Sequence, residues 1–119
     1  MYPASVEMLR EVDAVYVGLD SLVAENLEVL LKAAMEAGKP VFAGDSGSVK
    51  RGAIAAVSVS MQDVGKIAGG MAADVLDGKP VAKMPIWSVS SGEKVVNKSA
   101  QGDPRFDQAR LARPDVKVQ

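Results

Sequence analysis

The chain has 119 residues, 48% of them apolar and 24% charged, which suits one domain with a core of ordinary size. A net charge of −1 and few aromatic residues (Trp 1, Tyr 2, Phe 2) argue against a nucleic-acid partner, which needs a basic face and stacking rings. With no cysteine and no histidine, disulfides and thiolate metal sites are excluded, and neither a metal nor a cofactor is expected.

In chain order, SVEMLREV (5–12) spaces Val6, Leu9 and Val12 as in the end of a helix. The stretch lacks the basic start and apolar run of a signal peptide, and no apolar run in the chain reaches the ~20 residues of a membrane span. DAVYVGLD (13–20) follows, and its composition fits a strand buried on both faces. Over 21–37, Leu27, Leu30, Leu31, Ala34 and Met35 form a helical stripe, with Ser21 as its N-cap and Gly38 as its stop. PVFAGD (40–45) is a second short strand, so 13–44 reads as β-α-β with parallel strands.

DSGSVKRG (45–52) reads as a polar loop, with Lys50-Arg51 in a solvated turn, and AIAAVSVS (53–60) as a third strand. Residues 61–77 give a second helix, with Val64, Ile67, Ala68, Met71, Ala72, Val75 and Leu76 on one side. Gly69-Gly70 inside it is explained most simply by close helix packing, since each costs ~1 kcal/mol in propensity. MPIWSVS (84–90) and EKVVNKS (93–99) suggest a hairpin or paired strands, with Trp87 as core or hinge packing. The tail is charged and expected to be mobile, apart from two helical turns that Asp103-Pro104 could start. The expected core is Val15, Val17, Leu27, Leu30, Leu31, Val41, Ile54, Ala56 and Val57.

The stretch GDSGS (44–48) matches the surroundings of a serine-protease nucleophile. A serine needs a base to take its proton; there is no histidine, and Lys50 beside Arg51 looks solvated and charged. No catalytic residue is therefore assigned, and no enzymatic activity is expected. A receiver-like phosphoacceptor, with Asp20 or Asp45 as acceptor and Lys50 as partner, would need an acidic cluster that single carboxylates at the strand ends do not supply.

Ligands of open parallel α/β sheets bind outside the carboxyl ends of the strands. Here those ends carry Asp20-Ser21, Asp45-Ser46 and Ser58 with Ser60. Carboxylates and hydroxyls gathered on one edge suit an ammonium group or a small polar ligand. The competing role for the same residues is capping the helices and turns that follow.

In order and spacing, DAVYVGLDS, PVFAGDSGSVKRGAIA, DVGKIAGGMAADVLDGK and a closing VVN resemble the C-terminal half of ABC-transporter substrate-binding proteins. The likeness is to the tryptophan-type and uncharacterised subgroup of the type I periplasmic-binding fold, and it spans about 5–98. It implies an α/β fold of two lobes closing on a ligand, with 1–60 part of the second lobe, 61–98 a crossing helix and closing strands, and 99–119 a polar tail. By this likeness most of the first lobe and the first strand of the second lie outside the chain. It also implies a small-molecule ligand, with an amino acid favoured and its ammonium group on Asp20 or Asp45. An ABC permease is the implied partner of the full-length protein, and a periplasmic or lipid-anchored extracellular location follows.

A second reading has the chain as a self-associating module. The apolar side of helix 61–77 would pack on a lobe that is not in this sequence, so a homo-oligomer is expected to cover it.

Overall fold

The computed structural model describes residues 1–88 and 92–119, which fall into two compact units, Met1–Ser58 with Glu93–Gln119, and Val59–Gly92. The strands expected over 84–90 and 93–99 therefore separate. Residues 84–88 form no strand, 89–91 lie outside the described residues, and 93–96 belong to the first unit.

The first unit is built on a five-stranded sheet in the order β1-β2-β3-β4-β5. Its strands are β1 (Val15–Val17), β2 (Val41–Ala43), β3 (Ala55–Ser58), β4 (Glu93–Val96) and β5 (Val116–Val118). β1, β2 and β3 run parallel, β4 runs antiparallel to β3, and β5 runs parallel to β4. The partner of EKVV is thus β3 instead of a neighbouring hairpin arm. Val95 opposes Ala56 and is fully buried, which gives the pairing its driving force.

Helices α1 (Tyr2–Leu9), α2 (Ser21–Glu25), α3 (Leu27–Glu36) and α4 (Ser46–Arg51) complete the α/β layer. The single helix expected over 21–37 breaks at Asn26, whose backbone leaves the helical region (φ −112, ψ 18). The Asn26 amide donates to the Leu22 carbonyl at 2.9 Å, a local bond of the kind by which Asn competes with the helix ladder. One apolar cluster joins Leu27, Leu30, Ala33 and Ala34 of α3 to Val15, Val17, Val41, Ala43 and Ala56 of the sheet, and takes in Val49 of α4.

Strand alternation sends the intervening residues to the opposite face. There Tyr16 is 71% and Val57 60% exposed, while Phe42 and Ala55 are half-buried. The strands read as buried on both faces are covered on one. Of the expected core, Val15, Val17, Leu27, Leu30, Val41 and Ala56 are buried, Leu31 and Ile54 are half-buried, and Val57 is exposed.

Residues 46–51, expected as loop, are helical because two strong local terms act on a weak sequence. Asp45 caps the first turn, and Val49 drops into the core. Nor is Arg51 in a solvated turn: its Nε and Nη2 both donate to Glu28 at 2.7 Å, tying α4 to α3. The tail is ordered by side-chain bonds that periodicity does not reveal. Arg105 donates to the Gly38 carbonyl at 3.1 Å, and the Gln108 amide nitrogen donates to the carbonyls of Ala100, Asp103 and Phe106. A four-residue helix α6 (Gln108–Leu111) follows, and β5 closes the sheet edge with Lys94–Asp115 and Lys117–Glu93 ion pairs.

The second unit consists of α5 (Met61–Leu76), a short 3-10 turn (Val81–Lys83) and the segment that follows. Ser60 caps α5, accepting from the Asp63 amide at 3.2 Å, and Gly78 at φ 88 turns the chain after the helix. No residue of α5 is buried. A Cβ at Gly69 or Gly70 would meet nothing within 4 Å, so close packing does not account for the pair among the described residues.

Candidate functional site

The register of the parallel strands aligns their carboxyl ends: Val17 lies opposite Ala43, and Ala43 opposite Ala56. Each end continues into a polar segment on the same edge of the sheet, Gly18–Ser21 after β1 and Gly44–Ser46 after β2, while β3 itself ends in Ser58. Asp20, Ser21, Asp45, Ser46 and Ser58 therefore share one edge of the first unit. Ser60 belongs to the second unit, where it acts as the cap of α5.

Both carboxylates are helix caps. Asp20 is extended (φ −120, ψ 126), and its Oδ1 accepts from the Val23 amide at 3.0 Å. The cap of α2 is thus Asp20, not Ser21, which occupies the first helical position. Asp45 (φ −141, ψ 152) accepts from the Ser48 amide at 2.8 Å through Oδ1 and from the Ser48 hydroxyl at 2.6 Å through Oδ2. Ser46 is half-buried at the first position of α4, and Ser58 is 8% exposed opposite Glu93. An ionised carboxylate offers about four acceptor positions, so capping leaves room on each for an ammonium group or a hydroxyl. Among the described residues, no group of three or more acidic, His or Cys side chains is placed to hold a metal ion.

A cavity of about 490 Å³ lies elsewhere. Glu28, Met35, Pro40, Val41, Arg51 and Ile54 are among its lining, which places it by the amino-terminal ends of β2 and β3, and none of the expected site residues lines it. Beside it, the paired Arg51 guanidinium holds the Glu28 carboxyl down at about 2.

Two further features of the carboxyl edge escaped the sequence reading. A Cβ placed on Gly44 would lie 3.1 Å from the Tyr16 hydroxyl and 3.7 Å from Leu19 Cγ, so both side chains reach over this glycine. Leu19 is 70% exposed. The signal was present in the alternation of Val-Tyr-Val, which puts Tyr16 on the face opposite its neighbours.

Residues 1–104 match the family model for "ABC transporter substrate binding protein". The chain belongs to this family. The resemblance carried by the strand-end motifs therefore holds, and so does the α/β fold expected from it. Residues 105–119, with α6 and β5, lie beyond the matched span.

Among ABC substrate-binding relatives, a tyrosine-binding protein of Clostridioides difficile is 28% identical over 110 residues, covering 92% of this chain and 31% of its own length. A Streptococcus pneumoniae ABC domain solved in complex with L-Trp is 28% identical with a TM-score of 0.73, over 82% of this chain and 33% of that one. A conserved domain protein of Vibrio cholerae gives a TM-score of 0.83 at 27% identity, over 99% of this chain and 40% of that one. A ligand-free, open substrate binding protein with adhesive properties from Clostridium difficile gives 0.73 at 25%, over 99% and 39%. The chain thus spans about a third of the length of the first of these relatives.

Proposed function

We propose that this chain forms one side of an amino-acid-binding site in the solute-binding component of an ABC importer, and does no chemistry. The observation that carries the proposal is the placement of Asp20 and Asp45 at the carboxyl ends of two adjacent parallel strands, each with acceptor capacity beyond its cap. One of them receives the ligand ammonium group. Ser21, Ser46 and Ser58 lie on the same edge of the first unit. The named ligands of two relatives, tyrosine and L-Trp, support the amino-acid class. A permease partner and a periplasmic or lipid-anchored extracellular location go with this role.

The test is an NMR titration of the chain with millimolar L-tyrosine or L-tryptophan. Saturable shifts of the amides of 18–21 and 44–48, abolished in a doubly substituted Asp20→Asn, Asp45→Asn chain, are expected. Absence of any shift in the folded wild type overturns the proposal.

A second reading is favoured by the exposed apolar side chains of the second unit: Leu76 is 88%, Val81 67%, Met61 66% and Trp87 64% exposed. Of these, Val81 and Trp87 line an apolar groove with Val64, Ile67, Met71 and Met84, and a second copy of the chain would cover it. Light scattering after gel filtration tests it, and a single monomer mass across micromolar concentrations overturns it.

A further inference from the structure

Resting on the amino-acid reading above, we propose that Tyr16 and Leu19 form the wall against which an aromatic ligand side chain lies, and that Gly44 keeps this wall in place. The two side chains converge from β1 and the turn after it onto one point, the Cβ position of Gly44, which they approach to 3.1 Å (Tyr16 hydroxyl) and 3.7 Å (Leu19 Cγ). That point lies one residue before Asp45, and Leu19 lies one residue before Asp20. The apolar wall and both carboxylates thus occupy the same edge, as an amphipathic ligand with an ammonium group at one end and a ring at the other requires.

Neither side chain serves the core. Tyr16 is 71% and Leu19 70% exposed, and neither belongs to the apolar cluster that holds α3 to the sheet. An exposed tyrosine ring beside a leucine offers a flat, rigid surface that loses little freedom when a second ring stacks on it. An aliphatic ligand side chain gains less there, because it lacks the offset-stacked or edge-to-face geometry open to two rings. Gly44 has no positive φ to require glycine; what it provides is space. A methyl group there would press on the free end of Tyr16, which can swing aside, so alanine would displace the ring without straining the backbone.

Calorimetric titration of the chain with L-tryptophan, L-tyrosine and L-leucine tests the proposal. Tyr16→Ala is expected to weaken the two aromatic ligands about tenfold while leaving L-leucine within about twofold, and Tyr16→Phe to retain both rings' affinity. Leu19→Ala and Gly44→Ala should move the same ratio in the same direction with unchanged melting temperatures. Equal losses for all three ligands, or none, would overturn the wall while leaving the amino-acid reading intact. Wild type that binds none of the three, or binding indifferent to Asp20→Asn with Asp45→Asn, overturns that reading and the wall with it.

Discussion

Asp45 holds Ser48 with both carboxylate oxygens, one on the backbone amide at 2.8 Å and one on the side-chain hydroxyl at 2.6 Å. The Asp-Ser-Gly-Ser stretch, which invites a reading as hydrolytic, is locally a capped helix start. Its serine at 46 sits at the first helical position, and its serine at 48 satisfies the cap.

Removing that cap should cost stability directly. Asp45→Ala is expected to lower it by about 1 kcal/mol in urea unfolding, and Asp45→Asn by less, since Asn also caps. A change confined to ligand binding, with no shift in the unfolding midpoint, would mean that the cap does not stabilise α4.

Truncation in the core should cost more. Leu30 is 4% exposed between α3 and the sheet, so Leu30→Ala should destabilise by about 2–5 kcal/mol. Val57→Ala, at a position 60% exposed, should stay within about 0.5 kcal/mol. Equal effects would contradict the one-sided burial of the sheet.

The Glu28–Arg51 pair gives an acid-range signature. The bidentate bond from Arg51 lowers the folded carboxyl from 4.5 to about 2. A lowered folded value means that the pair's contribution is present in full above the unfolded value and is lost as the pH falls through about 2. Because the carboxylate is 64% exposed, solvent screens the pair and the effect on stability is small. The direct measurement is an NMR titration of the Glu28 side chain, with a midpoint of about 2 in wild type and a return toward 4.5 in Arg51→Gln. An unchanged midpoint in the variant would remove Arg51 as the cause.

Self-association should be sensitive to charge on the second unit. Ile86 is 99% exposed and Ile67 lines the same groove, so Ile67→Glu or Ile86→Glu should shift the light-scattering mass toward the monomer. If both variants associate as wild type does, the groove is not the contact.

Periodicity made much of this fold legible. The α3 stripe and the three parallel strands follow from apolar spacing, and the strand-end aspartates from the sheet rule. α4 was hidden because Ser-Gly-Ser-Val-Lys-Arg has poor helix propensity, and its existence depends on a cap and one buried valine. The tail was hidden because Arg105 and Gln108 act through long-range or irregular bonds that carry no period. Asp20 and Asp45 were legible as polar strand ends, but which oxygens the caps occupy depends on backbone angles. Tyr16 was hidden for a simpler reason: in a three-residue strand, one exposed residue between two buried valines looks like a continuous apolar run.

Ser58 and Glu93 are ladder partners on adjacent antiparallel strands, so the chain leaves the first unit and re-enters it at neighbouring points. To the sheet, the whole of 59–92 is topologically a long hairpin loop, and a cassette at such a position can be exchanged without rethreading anything else. Replacing it with Asn-Gly between Ser58 and Glu93 would shorten the loop to a tight turn and reduce closure entropy by on the order of 2 kcal/mol. The sheet is thus wired so that this segment can be gained, lost or replaced as a module while the order of its strands stays the same.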